Sequence, residues 1–221
     1  MVQGIQKKHE EEHDPILERV AKIQEYLQKN KNKLLVAIVV IFAVAAAAGL
    51  SYKSSVEKNN KMAAEVGIAN NDFANTDYEL TIERLSESVE NYHGTDASGL
   101  GMMYLASSYY RIGEYENSRD SYLECAQGGA DNDYLIACCY SGAAMCSEKL
   151  DEYDLAIKYY KNAAEHSPFR YFKHQNLASL AKIYLVQENV SEAESILEKV
   201  KLDDPTPKLK NEITFLLASM Q

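Results

Sequence analysis

RIGEYENSRDSYLECA (Arg111–Ala126) and KLDEYDLAIKYYKNAA (Lys149–Ala164) align 38 positions apart. Each opens on a turn and a Glu-Tyr pair. Each then sets a small residue, a tyrosine and another small residue down one helical face: Ser118, Tyr122 and Cys125, then Ala156, Tyr160 and Ala163. A third copy lies 37 residues on, in ENVSEAESILEKV (Glu188–Val200), with Ala193, Leu197 and Val200 in register. A weaker copy precedes them in DYELTIERLSESV (Asp77–Val89), with Thr81, Leu85 and Ser88. Self-similarity at a fixed period within helical patterns marks stacked supersecondary units.

Each copy is preceded by a second periodic stripe: Leu105, Ala106 and Tyr109; Ala143, Ala144 and Ser147; Leu180, Ala181 and Tyr184. Ala106, Ala144 and Ala181 let helix axes approach closely, while tyrosines fill wider gaps and keep a hydroxyl for water. Pro168 and Pro205 follow the last two full copies, where proline ends a helix. KLKNEITFLLASM (Lys208–Met220) carries Ile213, Leu216 and Leu217 on one face and reads as a terminal capping helix.

This pattern resembles the tetratricopeptide repeat, a helix–turn–helix unit of about 34 residues with small residues at helix contacts. The resemblance covers Ser54–Lys208, about four repeats, and implies an all-α helical-hairpin solenoid. The connections run longer than in that repeat, as in Gly128–Tyr134, and Met102, Tyr140 and Leu177 replace the usual first-helix tryptophan. Stacked pairs coil so that the first helix of each repeat forms a concave wall. Met103, Tyr110, Arg111, Met145, Lys182 and Leu185 are the outward-facing candidates for a protein-binding groove there. The alternative is that some of them pack under neighbouring loops. The Lys/Asn cluster with which such repeats clamp acidic peptide C-termini is missing, which argues against recognition of a terminal carboxylate.

The remaining composition agrees. Only 10 Gly and 4 Pro occur in 221 residues, with no Trp and 16 Tyr, which suits helices packed on helices. The formal charge is −10, and residues 34–221 carry 16 Lys/Arg against 27 Asp/Glu, or −11. Such a domain repels phosphate backbones, so nucleic acid is not an expected partner.

Leu34–Leu50 (LLVAIVVIFAVAAAAGL) is uncharged, and with Ser51 and Tyr52 the uncharged run reaches 19 residues. At ~1.5 Å per residue that spans ~28 Å, enough to cross a hydrocarbon core as a helix. Ala46-Ala47-Ala48 offers a signal-peptidase-like site, but the long, acid-rich segment ahead of the apolar run favours an uncleaved anchor. The expected organisation is therefore a tail over residues 1–33, a transmembrane helix over 34–52 and a repeat domain over 53–221. Lys22, Lys29, Lys31 and Lys33 before the span, against Lys53, Lys58 and Lys61 after it, lean towards a cytoplasmic N-terminus.

In the tail, Asp14-Pro15 reads as a helix start, followed by an apolar stripe of Ile16, Val20, Ile23 and Leu27. The stripe suits a membrane surface or a partner helix, or it simply extends the span. His9-Glu10-Glu11-Glu12-His13 fits H-E-x-x-H, the zinc-hydrolase pattern. It lies in a charged tail ahead of a proline, without the third ligand or walled cleft that metal catalysis needs, and reads as a chance match. Cys125, Cys138, Cys139 and Cys146 form no CxxC pair. They read as small core residues, or as a disulfide of Cys125 with Cys138 or Cys139 in an oxidising compartment. No phosphate loop or nucleophile elbow occurs, and His93, His166 and His174 are scattered. Neither an enzyme, a metal site nor a cofactor is expected.

The order of tail, span and C-terminal repeats, together with ENYHGTDASGLGMMYLASSYYRIGEYENS (Glu90–Ser118), resembles the bacterial family of ancillary subunits of the SecYEG translocon. The resemblance implies an inner-membrane protein with a periplasmic repeat domain that binds the translocon and periplasmic chaperones during export of new chains. An assembly scaffold of another envelope or secretion complex is the alternative, and the span leaves room for a homo-oligomer.

Overall fold

In a computed structural model, residues 15–129 and 132–220 are described, and among them the regular structure is entirely helical. The chain forms two compact units, residues 1–54 and 55–221. The His9–His13 motif and the Asp14 cap lie outside the described residues.

In the first unit, α1 (Pro15–Lys29) exposes Val20, Ile23 and Leu27. The next helix, α2 (Lys31–Ala74), has 44 residues and belongs to both units. Its apolar stretch is long enough and hydrophobic enough to cross a membrane, and none of that stretch is buried within the protein.

The second unit is a series of helical pairs. The end of α2 packs with α3 (Tyr78–Asn91) by burying Met62, Val66 and Ala69 against Leu85 and Val89. Arg84 fastens the pair through Asp72, at 2.9 Å. Then follow α4 (Asp96–Ile112) with α5 (Tyr115–Glu124), α6 (Asp133–Lys149) with α7 (Tyr153–His166), and α8 (Arg170–Val186) with α9 (Val190–Leu202). The last helix, α10 (Pro207–Ser219), buries Leu209, Ile213 and Leu217 against α8 and α9.

The expected contact residues are largely those the core uses. Ala106, Ala143, Ala144, Ala156, Ala163, Ala181 and Ala193 are fully buried. In the weakest copy the register differs: Val89 enters the core, and the half-buried Ser88 bonds the Arg84 carbonyl at 2.9 Å. A hydroxyl that can return to its own helix backbone leaves the apolar contact to its branched neighbour.

Turns between paired helices follow local chemistry. α4 stops at Gly113, whose φ of 88° is the left-handed conformation that closes a helix end without steric conflict. α5 does not stop cleanly. It runs into one turn of π-helix, Cys125–Gly129, which accommodates the longer connection ahead of α6. The Asn132 side chain accepts from the Leu135 amide to start α6, and Thr206 does the same for Leu209 ahead of Pro207 in α10.

Leu197, fully buried between α8, α9 and α10, tests the capping of the stack. Leu197→Ala is expected to remove about 2–5 kcal/mol and lower the urea midpoint clearly. Phe215→Ala, at a position 74% exposed on α10, should stay within about 0.5 kcal/mol of the parent. Equal effects of the two would show that α10 does not cap the core through this cluster.

Candidate functional site

Two tyrosines at equivalent positions of the 38-residue period build the site. Tyr122 of α5 reaches between the first helices of two successive pairs. Its hydroxyl lies 2.8 Å from Ser107 Oγ of α4, and its ring lies over Gly142 of α6. A Cβ at Gly142 would meet the Tyr122 ring at 2.5 Å, so only glycine admits the ring this close to the helix backbone. Tyr160 of α7 repeats the arrangement one pair later. It donates its hydroxyl hydrogen bond to Glu148 of α6 and lies beside Ser179 of α8.

Each tyrosine forms the floor of a cavity. The first, about 230 Å³, is lined by Phe73, Ser107, Tyr110, Arg111, Tyr122, Gly142 and Met145. The second, about 300 Å³, is lined by Tyr110, Met145, Glu148, Lys149, Tyr160, Ser179 and Lys182. Tyr110 and Met145 border both, so the cavities form one trough across α4, α6 and α8. Met145 stands 42% exposed at the divide, where a flexible thioether can adapt to different shapes.

Burial sets the acid–base character of the floor. It pushes the Tyr122 hydroxyl up to about 12, against the Ser107 hydrogen bond that pulls it down. Burial, followed by the bond to Glu148, holds Tyr160 well above the ordinary phenol range. Burial likewise raises Cys146 to about 11, with its Sγ 3.1 Å from the Ser118 hydroxyl. These groups stay neutral, and none is poised as a nucleophile or base near neutrality.

Of the six groove candidates, Tyr110, Arg111, Met145 and Lys182 line the trough. Met103 packs against the core between α2, α3 and α4, and Leu185 against the α8–α9–α10 core. Both line neither cavity. Sequence reasoning passed over Phe73, Gly142, Glu148 and Lys149, and assigned Tyr122 and Tyr160 to the core. The equivalence of Arg111 and Lys149 under the period was the signal that could have found Lys149.

A larger cleft of about 560 Å³ lies between α3, α4 and α5, with Glu90, His93, Asp120 and Glu124 around it. Among the described residues, no group of three or more His, Cys, Asp or Glu is placed to hold a metal ion. His174 is buried and bonds Asp203 at 2.7 Å, and His166 stacks on Tyr140, so both serve packing. Cys125 and Cys139 form a disulfide with Cα atoms 6.2 Å apart, joining the π-turn to α6, while Cys138 and Cys146 are free.

No protein-family model matches the chain, and no curated protein matches it in sequence. Among solved structures, it is similar to BtubC (BKLC) from P. vanneervenii at a TM-score of 0.59 and 16% identity, over 80% of this chain and 78% of that one. It is also similar to the Yersinia enterocolitica type III secretion translocator chaperone SycD, at a TM-score of 0.45 and 20% identity, over 61% and 90% of the two chains. Likeness at these identities is one of fold. The repeat domain is an all-α, tetratricopeptide-like solenoid with a capping helix, preceded by one helix of membrane-spanning length.

The buried floor predicts an alkaline limit. Below pH 10, the ordinary phenol value, Tyr122 is neutral both folded and unfolded. From there to about 12 the unfolded phenol gives up its proton while the folded one keeps it, so stability falls as pH rises. This one group contributes on the order of 2–3 kcal/mol to that fall. Urea midpoints measured against pH should decline less steeply for Tyr122→Phe than for the parent. Parallel declines would mean that folding does not hold this proton.

Proposed function

We propose that the chain is a membrane-anchored binding scaffold serving an assembly or export machine of the cell envelope, with its repeat domain on the oxidising side of the membrane. The observation that carries this reading is the trough of α4, α6 and α8, walled by Tyr110 and Met145 and bordered by Arg111, Lys149 and Lys182, in a repeat domain that follows a membrane-length helix. Its chemistry is that of binding: aromatic and thioether walls, neutral tyrosine floors, and cations at the rim. No bond is made or broken there.

The Cys125–Cys139 disulfide supports the compartment, since structural disulfides persist outside the reducing cytosol. It agrees with a cytoplasmic N-terminus, towards which the lysines before the span lean. A second reading names the machine. The order of parts and the Glu90–Ser118 stretch favour an ancillary subunit of the SecYEG translocon, with the trough available to the translocon or to periplasmic chaperones. In either reading the trough residues Tyr110, Arg111, Met145 and Lys182 are the proposed contact set.

Two measurements test these readings. Purification of the full-length protein from native membranes in mild detergent should recover a stoichiometric partner complex. SecYEG or its chaperones in that complex supports the second reading, and a different envelope complex removes it and leaves the first. A chain that copurifies with nothing overturns both. Alkylation of the unfolded but unreduced protein should modify the two free cysteines, Cys138 and Cys146, and reduction should expose Cys125 and Cys139 as well. Because the bond closes a short loop, reduction should lower stability by about 3 kcal/mol. Four reactive thiols in freshly isolated protein would contradict the oxidising side.

A further inference from the structure

We propose that α1 lies along the bilayer surface beside the span, with Leu17, Val20, Ile23 and Leu27 sunk into the boundary between headgroups and acyl chains. This placement rests on the reading of α2 as a membrane span and is independent of the trough.

The four side chains fall on one face of α1, at spacings of three and four residues, and all are exposed. Glu18, Lys22, Glu25 and Lys29 take the opposite face, where Lys22 bonds Glu18 at 2.8 Å. Depth decides what can cover the apolar face. Leu34 opens the uncharged run, and Val20 and Ile23 precede it by 14 and 11 residues. Along a straight helix those intervals are roughly 21 and 16 Å. Headgroups extend only about 5–8 Å beyond the hydrocarbon on each side. A helix continuing straight out of the span would therefore hold most of the stripe in water. Laid in the plane of the surface, the same helix keeps all four side chains at the headgroup boundary.

The chain has a place to turn. α1 ends at Lys29 and α2 begins at Lys31, so regular helix is broken at Asn30. The Asn30 side-chain amide and backbone amide both donate to the Tyr26 carbonyl, each at 3.0 Å. A side chain entering the helical ladder is a recognised cause of a bend.

Charge agrees with a lipid surface. Residues 15–33 hold five Lys/Arg and two Asp/Glu, an excess of three cations, whereas residues 55–221 hold 15 and 27. Cations gathered beside a span are drawn to anionic headgroups. Arg19 and Tyr26 border the apolar stripe on one side, and a cation on a long stem and an amphipathic ring both settle at headgroup level. A bilayer meets the stripe and the cations together, and the span begins only five residues beyond the end of α1.

The test exploits the absence of tryptophan from the chain, so that one introduced indole reports alone. The full-length protein is reconstituted in vesicles of phosphatidylcholine and phosphatidylglycerol, with phosphatidylcholine brominated near the headgroup or near the chain end. Ile23→Trp should emit at shorter wavelength than Glu25→Trp and lose roughly half of its emission to the shallow bromines, as expected at interfacial depth. Glu25→Trp should respond to aqueous acrylamide instead, although Glu25 lies nearer the span in sequence. Phe42→Trp, at the middle of the apolar run, should be quenched most by the deep bromines. Val20→Asp combined with Leu27→Asp should abolish bromine quenching of Ile23→Trp, with far-ultraviolet dichroism unchanged.

Equal responses of Ile23→Trp and Glu25→Trp would overturn the proposal, and so would quenching that survives the two aspartates. Short-wavelength emission from Ile23→Trp without bromine quenching would mean that protein covers the stripe, a partner helix or a second copy, and would overturn it too. In each case deep quenching of Phe42→Trp leaves the span standing. Its loss would overturn the anchored reading and the placement of α1 together.

Discussion

Everything in the repeat domain depends on helix axes approaching closely at side chains too small to keep them apart. Ala106, Ala143, Ala144, Ala156, Ala163, Ala181 and Ala193 are fully buried, and Gly142 lets a tyrosine ring lie directly on the α6 backbone. Interiors are packed to crystalline density, so any methylene added at these contacts must displace a neighbour. The large side chains are set by the same constraint. Met62, Leu85, Met102, Leu180, Leu197 and Ile213 fill the spaces that the small residues leave between axes. No pair buries both of its faces alone, which is why the series closes on α10 rather than on an open pair.

The architecture was legible because this constraint writes itself into residue size at a fixed interval. Ser118 and Ala156, Tyr122 and Tyr160, Cys125 and Ala163 can be matched by eye, and all belong to the packed interior or its edge. One residue can serve two purposes. Tyr122 and Tyr160 have the spacing of core positions and pack as such, and they also line the two cavities. Periodicity reports the face a side chain starts from, not where a long one ends. Met103 and Leu185, given an outward face by their spacing, are half-buried and pack against the cores. The choice between Cys138 and Cys139 as partner for Cys125 was likewise open in the sequence. Successive residues on a helix point about 100° apart, so only the placement of α6 against the π-turn decides it.

The π-turn and the disulfide belong together. A connection longer than the usual repeat leaves backbone groups without a regular partner just where α5 must hand over to α6. Winding the surplus residues into one wide turn keeps those groups bonded at the expense of regular geometry. Cys125 opens that turn fully buried, and its bond to Cys139 fixes the turn to the first helix of the next pair. That helix carries Gly142, Met145, Glu148 and Lys149, so the covalent link steadies the element that contributes residues to both cavities.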